Sequence, residues 1–112
     1  MSKIDVGIDP GMSGGIVILV DSAIHAIHKM PIFEVDVVKN KKKSKQKHLD
    51  VPRLYEILRP LYINNKPDVY VEELTHLFGL PASSNFKLGY SVGAIHGVLQ
   101  TLGEFYLIHK RS

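Results

Sequence analysis

Ile4-Asp5-Val6-Gly7-Ile8-Asp9-Pro10-Gly11-Met12-Ser13-Gly14-Gly15-Ile16-Val17-Ile18-Leu19-Val20 is the stretch on which the fold turns. Two short, β-branched apolar runs, residues 3–9 and 15–20, flank a glycine-rich turn, and runs of that kind bounded by glycine read as strands. The first strand ends on a carboxylate, Asp9. A carboxylate at a strand tip beside a turn is where a metal ion or a phosphate can be reached. The same residues also fit an ordinary hairpin whose Asp accepts hydrogen bonds from the turn backbone. A second carboxylate in a comparable setting shifts the balance.

Working outward, Asp21-Ser22 forms a tight connection to a third strand over Ile24–Ile32, so the first three strands are expected as an antiparallel meander. Ile24, Ala26 and Met30 are assigned to one face of that strand, and His25, Ile27 and Lys29 to the other. The segment 36–49 shows no periodicity and reads as a loop. Asp50 before Val51-Pro52 is a helix start, with Asp as N-cap and Pro in the first turn. Leu54, Ile57, Leu58, Leu61 and Tyr62 then recur at helical spacing until Asn64-Asn65-Lys66-Pro67 stops the helix. Val69-Tyr70-Val71 is a buried-type strand, the fourth, ending in Glu72-Glu73. After a loop over 79–84, Ser84 or Asn85 caps a second helix reaching Leu102, with Leu88, Val92, Ile95, Leu99 and Leu102 as its apolar face. Gly89, Gly93 and Gly97 fall on one stripe of it. Each costs about 1 kcal/mol relative to alanine, so the stripe predicts close approach of another backbone, the sheet or a partner subunit. Phe105–Ile108 closes the chain as a fifth strand. The class is α/β.

The chain has 112 residues, enough for one domain with its own core, and no cysteine, which removes disulfides, thiolate metal sites and thiol nucleophiles. No run approaches the roughly 18 apolar residues of a membrane span, and a signal-peptide pattern is absent, so a soluble cytoplasmic protein without a membrane partner is expected. The net charge of +3 is unevenly spread: Lys39, Lys41, Lys42, Lys43, Lys45 and Lys47 crowd together next to His48. Such a run is either a solvated loop or a device that raises the on-rate for a polyanion, in which case binding is strongly salt-dependent.

Strands joined through a helix are usually parallel and close in space, which brings Asp9 and Glu72 to one sheet edge. Two carboxylates held together repel unless a proton or a cation intervenes. Hard oxygen ligands without Cys or clustered His favour Mg²⁺ or Mn²⁺ over Zn²⁺. Two such ions about 4 Å apart suit phosphodiester hydrolysis. The plain alternative is that Glu72 and Glu73 end a strand in solvent.

Three segments, Gly7-Ile8-Asp9-Pro10-Gly11 with Gly14-Gly15, Val69-Tyr70-Val71-Glu72-Glu73, and Lys87-Leu88-Gly89-Tyr90-Ser91-Val92-Gly93, together resemble the RuvC-like Holliday junction resolvases, especially their phage-encoded relatives. The resemblance implies a ribonuclease H-like fold, a mixed five-stranded sheet with helices on both sides. It also implies a homodimer that makes paired Mg²⁺-dependent nicks in four-way DNA junctions during recombination, repair or phage DNA processing. By position, Asp9 is the first metal ligand and Glu72 the second acid. Glu73, where the family often has Gln, is carried only as an auxiliary ligand. Residues 75–86, with Phe78 and Phe86, match the segment that approaches the junction. DNA contacts are accordingly assigned to Lys41, Lys42, Lys43, Lys45, Lys47, Phe78, Ser83, Ser84 and Lys87.

Family members complete the site with acids on a final helix, in an Asp-x-x-Asp or His-x-x-Asp pattern. This sequence stops at His109-Lys110-Arg111-Ser112, just past the fifth strand, and reads as a single domain truncated there. His109 has no carboxylate three residues on and is read as incidental. Apolar surface is expected on the sheet face such a helix would cover. The competing readings are a branched-DNA-binding module that does not cut and a fragment of an actin- or sugar-kinase-type nucleotide-binding protein.

Overall fold

Alternation along the first strand sends Val6 and Ile8 to one side and Asp5, Gly7 and Asp9 to the other, and this split governs the whole fold. The computed structural model describes residues 2–73, 82–103 and 107–110. In chain order these form β1 (Ile4–Asp9), β2 (Gly15–Val20), β3 (Ala23–Lys29), β4 (Ile32–Lys39), β5 (Lys42–Leu49), α1 (Val51–Leu58), a 3-10 turn (Arg59–Tyr62), β6 (Asp68–Glu73), α2 (Ala82–Leu102) and β7 (Leu107–Lys110). The main sheet has five strands in the order β3-β2-β1-β6-β7. β1, β2 and β3 are antiparallel, as expected, and β6 runs parallel to β1 and β7 parallel to β6. The architecture is α/β with a mixed sheet.

One side of the sheet carries the core. Val6, Ile8, Ile16, Ile18, Val69 and Val71 are buried there in one cluster with Leu54 and Leu58 of α1 and Ile95, Val98 and Leu99 of α2. Asp50 caps α1, its Oδ1 accepting from the Arg53 N–H at 3.1 Å. The helix ends sooner than its apolar spacing predicts: Pro60 has no N–H to continue the ladder, and Arg59–Tyr62 tightens into 3-10 geometry. Tyr62 packs its ring at the end of α2, where a Cβ on Gly103 would stand 2.8 Å from it, and burial pushes the phenol pKa up.

Several expectations are corrected. Among the described residues both helices lie on the core face, so the sheet is not flanked on both sides. The outer face keeps Val17, Ile24, Ile27 and Tyr70 exposed, a bare apolar surface of the kind the sequence leads one to expect. Ile24 is there because of a β-bulge. Ile18 pairs with Ala26 but Leu19 pairs with Ile24, so His25 is the extra residue and Ile24 is turned away from the face that Ala26 shares with Met30. Its 68% exposure contrasts with 3% for Met30. The third strand also ends at Lys29 rather than running to Ile32, which opens β4.

The lysine-rich segment is not a loop. It forms most of a two-stranded hairpin, β4–β5, paired from Ile32↔Leu49 to Lys39↔Lys42 around a two-residue turn. Asn40 and Lys41 both adopt positive φ, 54° and 61°, as a primed hairpin turn requires. Asp21 and Ser22 connect β2 to β3 in the same way, at 50° and 68°. In α2 the helix already begins at Ala82, so Ser84 and Asn85 lie within it rather than capping it. The glycine stripe does not approach the sheet: a Cβ at Gly89, Gly93 or Gly97 would meet nothing within 4 Å. No helix among the described residues is long and apolar enough to cross a membrane.

A one-sided core makes a sharp prediction. Leu54→Ala is expected to cost about 2–5 kcal/mol in chemical denaturation, whereas Ile27→Ala on the bare face stays within about 0.5 kcal/mol of the parent.

Candidate functional site

The site is built by register. β1 and β6 pair in parallel as Asp5↔Asp68, Val6↔Val69, Gly7↔Tyr70 and Ile8↔Val71, so Asp9 and Glu72 come next on the two strands and share the outer face. Neighbouring strands lie about 4.8 Å apart, which sets the two acids side by side at the sheet's end. They line one shallow, open concavity of about 380 Å³, with Gly7, Gly15, Val17 and Tyr70 also contributing to its walls. The convergence expected of Asp9 and Glu72 is therefore present.

Both readings of Asp9 hold at once. Its Oδ1 accepts a long hydrogen bond, 3.3 Å, from the Gly11 N–H, so the turn does orient the carboxylate. The turn is closed by Gly14 N–H donating to the Gly11 carbonyl at 2.8 Å. It folds back so tightly that a Cβ on Gly14 would run into the Asp9 carbonyl oxygen and stand 2.9 Å from Asp9 Cγ. Glycine at 14 is thus a packing requirement of the acid itself.

The same register puts a second acidic pair, Asp5 and Asp68, at the other end of the two strands. There the chain supplies the cation, since Lys3 Nζ lies 4.0 Å from a carboxylate oxygen of each. Asp9 and Glu72 form the acidic pair at the opposite end of the same two strands. Pairings across the sheet set Lys29 of β3 in line with Gly15 of β2 and Asp9 of β1, and the backbone of His109 in line with Glu72. The row Lys29–Gly15–Asp9–Glu72–His109 crosses all five strands. Sequence reasoning misses Lys29 because its place in the row depends on the bulge at His25, which no local pattern announces. His109, incidental by its spacing, has a backbone position beside an acid of the site.

The other assigned residues scatter. Glu73 is placed by its backbone as the last residue of β6, opposite Lys110. Phe78 and the side chains of Glu73, Ser83 and Ser84 lie outside the described residues. Lys87 is exposed on α2, on the same helix as the exposed Phe86 and Tyr90. Lys41, Lys42, Lys43, Lys45 and Lys47 are carried off on the hairpin rather than gathered around the acids. Among the described residues no group of three His, Asp or Glu side chains is arranged to hold a metal ion. Two carboxylates still suit Mg²⁺, which keeps several waters and commonly takes only one or two protein carboxylates together with substrate phosphate oxygens.

Because Gly14 touches Asp9 and Gly7 touches nothing, alanine should separate them. Gly14→Ala is expected to lower stability by about 1–3 kcal/mol or more in thermal melting, while Gly7→Ala on the floor of the same concavity leaves the melt nearly unchanged.

The chain matches no protein-family profile, and no curated protein is found to be similar to it.

Proposed function

We propose that the protein is a metal-dependent endonuclease acting on branched DNA, of the RuvC-like, ribonuclease H-like type. The observation that carries this reading is the placement of Asp9 and Glu72 side by side at the end of two parallel central strands, facing an open concavity. The strand order β3-β2-β1-β6-β7, with an antiparallel meander leading into parallel strands, is the arrangement the resemblance implies and supports it further. The openness of the site suits a backbone phosphate of a large substrate better than an enclosed small molecule.

In this reading Asp9 and Glu72 hold Mg²⁺, or Mn²⁺ in its place, together with phosphate oxygens. The ion, when bound, supplies Lewis-acid stabilisation of charge at the phosphate and lowers the pKa of an attacking water. The chain's own parts do the positioning. The Gly11 N–H holds one oxygen of Asp9, the Gly14 turn packs tightly against that residue, and Lys29 adds positive charge along the same row. The glycine stripe of α2, bordered by exposed Phe86 and Tyr90, supports a second copy of the chain packing there, which paired nicks require.

The test is cleavage of a synthetic four-way junction in Mg²⁺ or Mn²⁺. Asp9→Asn and Glu72→Gln should each lower the rate by at least about 10²-fold while leaving junction affinity in place, because each removes a direct ligand. A parent protein that binds junctions but cuts them in neither metal leaves only the binding reading. One that neither binds nor cuts contradicts both.

A further inference from the structure

The β4–β5 hairpin leaves the body at the same sheet end as the two acids. Lys29 lies in the row with Asp9, and β4 begins three residues later at Ile32. Two backbone hydrogen bonds pin the root, Met30 N–H to the Gly14 carbonyl at 3.1 Å and Asp50 N–H to the Pro31 carbonyl at 2.9 Å, and Met30 and Leu49 are buried in the core beneath it. Beyond the root, among the described residues, the two strands pair only with each other. Eight residues of strand reach about 26 Å. That projection agrees with the molecule's extents, 56 × 30 × 24 Å, and with a radius of gyration of 15.6 Å. A rounded chain of this length would have a radius of gyration nearer about 13 Å.

Charge is sorted along this arm. On the shaft, Glu34 stands opposite Lys47 and Asp36 opposite Lys45, with Lys45 Nζ 3.7 Å from Glu34 Oε2. At the tip no acid is present. Lys39 faces Lys42 directly, Lys43 follows, and Lys41 occupies a turn position at φ 61° where glycine is favoured. None of these four lysines takes part in an ion pair among the described residues. Like charges directly opposite weaken a strand pair, so the tip is built against its own stability. A polyanion relieves that repulsion.

We infer that the hairpin is a docking arm for duplex nucleic acid, with Lys39, Lys41, Lys42 and Lys43 as its phosphate contacts, while Lys45 and Lys47 are shaft residues that stand opposite acids of the arm, Lys45 in an ion pair with Glu34. A two-stranded ribbon fits a B-form major groove, about 12 Å wide. The inference deepens the proposed function, on which it rests for the choice of DNA, by naming which lysines meet the substrate. It divides the DNA contacts expected of Lys41, Lys42, Lys43, Lys45 and Lys47 between the tip and the shaft of the hairpin.

The test uses the whole chain without metal and a fluorescent 30-base-pair duplex and four-way junction, with affinity measured by anisotropy between about 50 and 200 mM salt. Replacing Lys39, Lys41, Lys42 and Lys43 by Gln should reduce the slope of log affinity against log salt by about 3–4, near 0.9 for each phosphate that is no longer neutralised. Affinity at 100 mM salt should fall by at least about tenfold. The control Lys45→Gln/Lys47→Gln should move the slope by less than about 1. Circular dichroism checks that both variants keep the parent fold. Equal reductions in the two variants, an unchanged slope, or a parent that binds anionic phosphatidylserine vesicles but no DNA would overturn the inference. Tip-dependent binding without cleavage in Mg²⁺ sinks the nuclease reading and keeps the arm; cleavage with an unchanged slope does the reverse.

Discussion

Parallel pairing of β1 with β6 is the constraint on which the rest of the structure depends. Its register buries Val6, Ile8, Val69 and Val71 together on one face, and the same alternation delivers Asp5 with Asp68 and Asp9 with Glu72 to the other. A slip of one residue would bury acids and expose valines, so the apolar core holds the acidic pair in place. Nothing local to Asp9 or Glu72 has to specify their meeting; the free energy of burying their neighbours does so.

That arrangement leaves a molecule with two distinct faces. The helix-covered face is apolar and closed. The outer face holds two acidic pairs at opposite ends of the central strands, with Gly7 and Tyr70 between them and Val17 and Ile27 alongside. Lys3 answers the charge of one pair. The other pair lies at the end where the glycine turn, Lys29 and the root of the hairpin all meet. Under the proposed function, the carboxylate pair and the lysine-rich tip, one strand length of about 26 Å from the hairpin's root, would engage one polyanion at two points.

The sequence is legible where burial and period agree. Short apolar runs bounded by glycine, an Asp cap before Pro, and the rule that helix-linked strands run parallel are enough to place β1, β2, α1 and β6 and to bring Asp9 to Glu72. It misleads where charge masks period. Phe33-Glu34-Val35-Asp36-Val37 alternates as a strand should, but its partner, Lys42–Leu49, has little strand propensity of its own and is held by cross-strand pairing with that run. The Phe33 and His48 rings, stacked 5.6 Å apart, are part of that pairing. The bulge at His25 leaves no local trace, so simple alternation puts Ile24 on the wrong face. The glycines of α2 suggest close backbone approach, and the sheet does not provide it.

The measurement that bears most directly on the central claim is paramagnetic broadening by Mn²⁺ in the ¹⁵N–¹H spectrum of the whole chain. If Asp9 and Glu72 form one divalent-ion site, substoichiometric Mn²⁺ should broaden the amides of Ile8, Asp9 and Gly11 together with those of Val71 and Glu72. The hairpin tip around Asn40 should stay sharp, and Asp9→Asn should abolish the effect. Broadening centred elsewhere, or a pattern that Asp9→Asn leaves unchanged, would contradict the account.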